Sequence, residues 1–507
     1  MLTVGSALLG AAKRNTNKKA LIFGEQSFTY VELNERANQI AWTLHDLGIQ
    51  PGERVALLLP NGLEMAELYF GVAKAGVIGV PLNLRWTPAE IEYAIRDAAV
   101  SLIVADPELQ PALQQAPPQL RVLYTGEGGS WTEKVAEAKV VEPDFYEVQE
   151  TDPWVIVYTS GTTGKPKGAV RNHLSNLMIA LMLVSELGVT SDQVGFAILP
   201  MFHVNSMWFV TLSVAIGATC VIYPHRAFHP RLVIEQLNLH KVNYGMFVPS
   251  ILTFIADAVE SGKVRADGLE VVMTSSAPLD STLRDRLMKG FPKARLYDIY
   301  GSTELGAATI LRHTENGPVG SVGYPSIGLD LKILDDHHQE VPDGTVGEIY
   351  VHGQTLMTEY WRNPEATTKN FTPDHYLTVG DMGYISNEGL LYLVDRKQDL
   401  IIVSGENVYP TEVEDVLLRH QGVALAVAFG IPDARRGERI VAMVTEREGK
   451  EVAITELEAL CREHLADYKR PHIIEVVPGL PMGATGKVIR RLARLLWEEK
   501  SAGQAQS

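Results

Sequence analysis

Cysteine is nearly absent from this chain: Cys220 and Cys461 are the only two among 507 residues. That excludes a disulfide framework and a multi-cysteine metal site, and a reducing, cytoplasmic setting is expected. Positive charge is short as well. Lys and Arg number 45 against 61 Asp and Glu, a net charge of −16, so long-range electrostatics oppose nucleic acid and acidic lipid surfaces and leave room only for a local basic pocket. Nucleic acid is not an expected partner. A long uninterrupted apolar run is also missing. The charge-free stretch Gln193 to Pro224 is broken by Pro200, His203, Asn205 and Gly217, whereas a membrane span needs roughly 20 consecutive apolar residues. It reads as buried strand, loop, buried helix and strand, with no stable membrane insertion. The apolar segment Met1 to Ala12 carries Lys13 and Arg14 after it rather than before it, so no secretory signal is expected. Internal repeats and low-complexity tracts are absent apart from the polar tail Ser501 to Ser507, expected to fray.

What remains is ordinary globular composition, 46% apolar and 21% charged, over a length that allows about three domain equivalents. Leu33, Ala37, Ile40, Ala41, Leu44 and Leu47 share a helical face, and Arg54 to Leu59 follows as a buried strand. The same alternation recurs in Leu63 to Ala75, Val77 to Leu82, Pro88 to Ala98 and Ser101 to Ala105. Such grammar predicts an α/β fold of parallel-rich sheets covered by helices. Near the end it changes. Two strands over Val423 to Phe429 and Ile440 to Thr445, a helix from Ile454 to Ala466 and a strand from Ile473 to Val477 predict a small α+β domain. The charged segment Asp395 to Asp399 reads as a connector and hinge, giving domains at 1–395 and 396–507.

The strand Trp154 to Tyr158 runs into Thr159, Ser160, Gly161, Thr162, Thr163, Gly164 and Lys165. Glycines let backbone N–H groups approach an oxyanion, hydroxyls donate further bonds, and lysine supplies charge. This is a phosphate cradle by composition, and also a polar turn by composition. Pro166 after Lys165 departs from the Gly-Lys-Ser/Thr of a P-loop.

The run Tyr158 to Lys167 resembles the adenylate-forming superfamily of acyl-CoA synthetases, nonribosomal-peptide adenylation domains and luciferases. The likeness continues in order through Pro200-Met-Phe-His203, Ser275-Ser-Ala-Pro-Leu279, Tyr300-Gly-Ser-Thr-Glu304, Gly347-Glu-Ile-Tyr-Val351, Gly380-Asp381, Asp395-Arg396, Gly405 to Pro410 and Gly486-Lys487. The resemblance implies ATP, Mg²⁺ and coenzyme A as co-reactants. It implies that Ser276, Ala277, Pro278, Asp298, Tyr300, Gly301 and Ser302 bind the nucleotide, Tyr300 at the adenine. Thr303 falls to the α-phosphate, Glu304 with Thr159 to the metal, and Asp381 with Arg396 to the ribose. Lys487 falls to the carboxylate and α-phosphate. Gly405, Tyr468 and Arg470 fall to the CoA path. Taken alone, Glu304 is as readily a solvated loop acid and Lys487 a surface cation.

Four residues depart from the family pattern: Val379 where Thr precedes Gly-Asp, Gln398 in the hinge, and Met482 and Gly483 where Arg and Thr follow the proline. His203 stands beside Phe202 where members acting on amino acids place an Asp for the ammonium, so an acid without an α-amino group is expected. Met201, Val204, Met207, Trp208, Phe209 and Phe247 offer apolar bulk for an acyl chain or an aromatic ring. The 20 residues after Lys487 are too few for a carrier domain, so a separate thiol, coenzyme A, is the expected acceptor. The expected enzyme is an AMP-forming acid:CoA ligase acting on a medium- or long-chain fatty acid. An aryl or aryl-propenoic acid ligase is the alternative, and an ADP-forming phosphotransferase the rival class. Nothing in the sequence decides between a monomer and a homodimer.

Overall fold

The computed structural model describes the chain except residues 1, 160–165, 227, 264–267, 276–278, 280, 315–316, 319, 405, 434, 448, 484–487 and 506–507, and except the side chains of 502–505. Its contacts divide it into a large unit, Met1–Leu331 with Val351–Val379, and a small unit, Lys332–Tyr350 with Gly380–Ser507.

Two sheets build the large unit. One orders Ser321–Pro325, Gly306–Arg312, Arg295–Ser302, Val271–Ser275, Tyr244–Phe247, Val194–Ala197, Thr219–Ile222, Lys19–Phe23 and Gln26–Thr29. The other, seven-stranded, orders Glu359–Tyr360, Lys167–Asn172, Pro153–Thr159, Ile78–Pro81, Arg54–Leu58, Leu102–Ala105 and Arg121–Tyr124. Their central strands pair in parallel, as β-helix-β alternation requires. Each sheet then turns antiparallel: at the pair Arg295–Ser302 with Gly306–Arg312, and at Pro153–Thr159 with Lys167–Asn172. Both motifs of the sequence fall at these switches. The strand Arg295–Ser302 runs on through the motif residues Tyr300 to Ser302, which pair with the hairpin partner.

Helices cover the sheets through buried apolar faces. Thr29 caps the helix Tyr30–Asp46 in a reciprocal box with Glu32, and that helix packs on Leu63–Ala75 so closely that a Cβ on Gly71 would lie 2.2 Å from Ile40 Cγ2. The charge-free stretch becomes the strand Val194–Ala197, the helix Val204–Ile216 and the strand Thr219–Ile222. No helix among the described residues is long and apolar enough to cross a membrane.

In the small unit, Gly347 and Glu348 pair with the strand Asp381–Ile385, and that strand with Leu391–Arg396, in antiparallel order. A five-stranded sheet follows, its long hairpin Val423–Asp433 with Gly437–Glu446 flanked by Ile401–Val403 and, in parallel, Ile473–Val476. The helices Pro410–Leu418 and Ile454–His464 contribute to one apolar cluster, and Trp497 packs with Phe429 and Val441 in another. The last helix, Arg490–Ala505, extends into the tail expected to fray.

Candidate active site

The chemistry of the large unit gathers on a tight turn. Between the strands Arg295–Ser302 and Gly306–Arg312, the Ser302 hydroxyl accepts the N–H groups of Glu304 (3.2 Å) and Leu305 (3.1 Å), closing the turn locally. A Cβ on Gly301 would lie 1.9 Å from the Gly306 carbonyl oxygen, so only glycine lets this hairpin close. Three further bonds fix the turn. Met357 N–H donates to Glu304 O (2.7 Å), Thr355 Oγ1 to Leu305 O (3.0 Å), and Arg171 to Thr303 O (2.8 Å). Glu304 is thereby buried at 7% exposure, and its Oε1 accepts from Thr159 Oγ1 at 3.0 Å and Tyr360 OH at 3.1 Å. The solvated loop acid is thus ruled out. Thr159 and Glu304, 145 residues apart in sequence, are in direct contact.

Arg171 is wholly buried, spans the carbonyls of Thr303 and Thr355, and lies 5.2 Å from the Trp208 ring. Burial pushes its pKa down to about 9 against the opposing pull of Glu304, so it stays charged at neutral pH. Asp298, expected at the nucleotide, is buried and accepts from Leu279 N–H (3.3 Å), with His313 Nε2 at 3.7 Å. His203 caps the helix Val204–Ile216 with its backbone, while its ring is buried and Nε2 has no hydrogen-bond partner among the described residues. Burial first, and the Arg85 charge second, push its pKa down to about 4. It is neutral at physiological pH. Met201, Phe202, Val204, Met207, Trp208, Phe209 and Phe247 are all buried.

Within the small unit, Asp381 and Arg396 stand opposite each other on paired strands, with Arg396 Nε 3.2 Å from Asp381 Oδ1. Arg396 is half exposed, so the pair contributes at most about 1 kcal/mol. Tyr468 and Arg470 flank a short turn in which Arg470 bonds Leu465 O and Asp467 (both 3.0 Å), and Lys469 bonds Glu412. The connector is tied down at several points. Lys397 reaches Asp336 (2.8 Å) and Glu348 (2.9 Å), Thr411 N–H and Oγ1 donate to Asp395, and Arg490 reaches Asp399, Asp395 and Glu414. Ser160, Gly161, Thr162, Thr163, Gly164, Lys165, Ser276, Ala277, Pro278, Gly405 and Lys487 lie outside the described residues.

Sequence reasoning missed Tyr360, Arg171, Thr355 and Asn370. Arg171 carried a signal, a charge directly after the apolar run Gly168 to Val170, which a buried strand tolerates only with partners. Tyr360 carried none.

The donor set around Glu304 fits a hard cation. One carboxylate and one hydroxyl, with no group of three or more His, Cys, Asp or Glu placed to form a cage among the described residues, suits Mg²⁺ held jointly with phosphates. The acidic turn sits where its sheet turns antiparallel, and the hydroxyls of Thr159 and Tyr360 bond its carboxylate. The comparisons agree. The family model for AMP-binding enzymes matches residues 9–361 and that for their C-terminal domain residues 412–487, so the chain belongs to the AMP-binding enzymes. Relatives include a fatty acid–acyl-carrier-protein ligase of Streptomyces coeruleorubidus, 32% identical over 95% of this chain and 94% of that one. A feruloyl-CoA synthase of Amycolatopsis is 31% identical over 96% and 97%, and a long-chain-fatty-acid–CoA ligase of Mycobacterium tuberculosis 32% over 92% of each. The ATP-bound MatB structure from Rhodopseudomonas palustris superposes with a TM-score of 0.90 at 27% identity, covering 98% and 99%. The chain is an AMP-forming acid:CoA ligase that uses ATP, Mg²⁺ and coenzyme A.

Proposed function

We propose that the acid is a medium- or long-chain fatty acid, activated as acyl-adenylate and then passed to the CoA thiol. The observation that carries this is the wall beside His203: Phe202, Val204, Met207 and Trp208 are buried, and the histidine is neutral. Such a lining favours apolar mass and offers no fixed charge to an ammonium. Members of the family with an aryl-propenoic substrate share the apolar requirement, and the Amycolatopsis relative keeps that acid as the second reading.

Residue roles follow the resemblance. Thr159 and Glu304 hold Mg²⁺, which when bound neutralises phosphate charge. Tyr300 stacks on adenine, with Ser276, Ala277, Pro278, Asp298, Gly301 and Ser302 around the nucleotide. Ser160 to Lys165 wrap the phosphates, and Thr303 bonds the α-phosphate. Asp381 and Arg396 take the ribose, and Gly405, Tyr468 and Arg470 line the CoA path. Lys487 bridges carboxylate and α-phosphate, and the domain 396–507 turns about Gln398 between the half-reactions, separating it from 1–395.

Pyrophosphate release across a panel of fatty, cinnamic and benzoic acids tests the acid. Release with alkyl acids at least tenfold above the aryl ones is expected; the reverse order replaces the proposal with the aryl reading. Lys487→Ala tests the two orientations. Adenylation should fall by roughly 10²–10³-fold, the scale of removing one charge-stabilising donor, while thioester formation from pre-made acyl-adenylate is spared. Equal damage to both would overturn the rotation.

A further inference from the structure

We propose that Tyr360 is a positioning residue for the metal–nucleotide complex: with Thr159 it pins Oε1 of Glu304, which leaves Oε2 as the oxygen available to a divalent cation. The inference rests on Glu304 as metal ligand and adds a residue that no motif marks.

The two oxygens of a carboxylate are equivalent until the surroundings distinguish them. Here both donors, Thr159 Oγ1 and Tyr360 OH, fall on Oε1, and no described side chain donates to Oε2. Tyr360 is held firmly enough to make that choice. It is 4% exposed, on the edge strand Glu359–Tyr360 opposite Ala169, in the sheet whose next strand but one carries Thr159. Its N–H donates to Thr367 Oγ1 (3.0 Å) and its carbonyl accepts from Asn363 N–H (3.0 Å). The Lys167 ammonium lies 5.1 Å from the ring centroid, which favours one ring plane. Asn370 Nδ2 donates to the phenol oxygen at 3.4 Å, so the phenol proton points to Glu304. The chain Asn370 to Tyr360 to Glu304 is therefore polarised in one direction. A phenol bonded to a metal-binding carboxylate acts as outer partners of metal ligands do elsewhere, fixing orientation rather than touching the ion.

Titration calorimetry of ATP on the full chain, with Mn²⁺ or Mg²⁺ and again with chelator, tests this without turnover. Tyr360→Phe keeps the ring and removes only the hydroxyl. It should weaken metal–ATP binding by about 10-fold, the lower end for loss of an outer partner, and leave metal-free ATP binding within about twofold. Asn370→Ala should shift the same quantity in the same direction by less. Glu304→Gln separates the two levels of the argument. If it abolishes the gain from metal while Tyr360→Phe changes nothing, the positioning role fails and the ligand reading stands. If Glu304→Gln leaves the gain intact, the ligand reading itself fails and takes this inference with it. Equal weakening by Tyr360→Phe with and without metal would make Tyr360 a purely structural residue and overturn the proposal.

Discussion

Two desolvated arginines, one in each unit, solve the same problem in opposite ways. Arg171 in the large unit is compensated by dipoles, the carbonyls of Thr303 and Thr355, and burial lowers its pKa to about 9. Arg490 in the small unit is also desolvated, yet the carboxylates of Glu414, Asp395 and Asp399 outweigh burial and raise its pKa. The difference suits what lies beside each. With Glu304 proposed as a metal ligand, a direct ion pair would consume the negative charge that a cation needs; Arg171 instead grips the backbone of the turn and leaves the carboxylate to hydroxyls. Around Arg490 no ligand is called for, and a full ion cluster can join connector, helix and strand.

Removing the charge at each site should break this comparison unequally. Arg490→Met strands three carboxylates, two of them well buried, and should cost about 3–5 kcal/mol, the range for breaking a buried pair from one side. Arg490→Met combined with Glu414→Gln should recover part of that loss. Denaturant unfolding measures both. A loss no larger than that of Arg171→Met would mean that the cluster is held by packing instead of charge.

Arg171→Met leaves two carbonyls without a donor but also removes a buried charge, so a smaller cost of about 1–3 kcal/mol is expected. Its effect on chemistry should be the larger one. Releasing Thr303 O frees the turn that carries Glu304, and adenylation should fall by about 10–100-fold. Arg171→Lys, whose single ammonium cannot span both carbonyls, should restore stability better than activity. Full activity in Arg171→Met would show that Met357 and Thr355 fix the turn unaided.

How far the sequence already spoke follows the same division. The parallel cores of both sheets were legible because apolar runs alternate with helical faces, and the small domain because its strand pair and helix break that rhythm. The antiparallel switches were not, since pairing partners such as Tyr360 and Ala169 are set by topology rather than by neighbours in sequence. Thr159 and Glu304 were readable through a motif, and the fold brings their side chains into contact. Thr355 and Asn370 act through backbone or through another side chain, and such roles leave no pattern in residue type. Glu414 and Arg490 are an ordinary acid and base on helices until folding brings them together.

Gln398→Pro sharpens the comparison at the connector, where the Arg490 cluster ends. Asp399 N–H bonds Arg396 O (3.0 Å) and Lys397 N–H bonds Gly380 O (2.8 Å), so residues 396–399 form a tight turn. Proline at its third position biases Lys397 toward extended backbone and should strain its bonds to Asp336 and Glu348. One half-reaction should slow by about tenfold, roughly 1.4 kcal/mol, with the other within a factor of two. Equal slowing of both, or none, would place the pivot elsewhere.

The smallest effect at neutral pH concerns a buried base with no carboxylate bonded to it, His173. Its Nδ1 accepts the Val4 N–H at 3.3 Å and its ring stacks on Trp154. Burial, opposed only in part by Asp152, pushes its pKa down to about 4 from an ordinary 6.5. Between those values the unfolded chain binds more protons than the folded one, so stability rises with pH there. This contribution is complete above about pH 6.5 and is lost as pH falls toward 4, with a slope of at most about 1.4 kcal/mol per pH unit. Protonation also removes the acceptor that ties down the helix Val4–Arg14, so that helix should loosen first. His173→Gln keeps an acceptor and removes the titration. Unfolding free energies at pH 7, 6 and 5 should therefore fall less steeply in the variant, by up to one histidine's slope, even where its stability at pH 7 is lower. Parallel slopes for the two proteins would show that His173 accepts its proton without unfolding cost, through a local opening of the helix it holds.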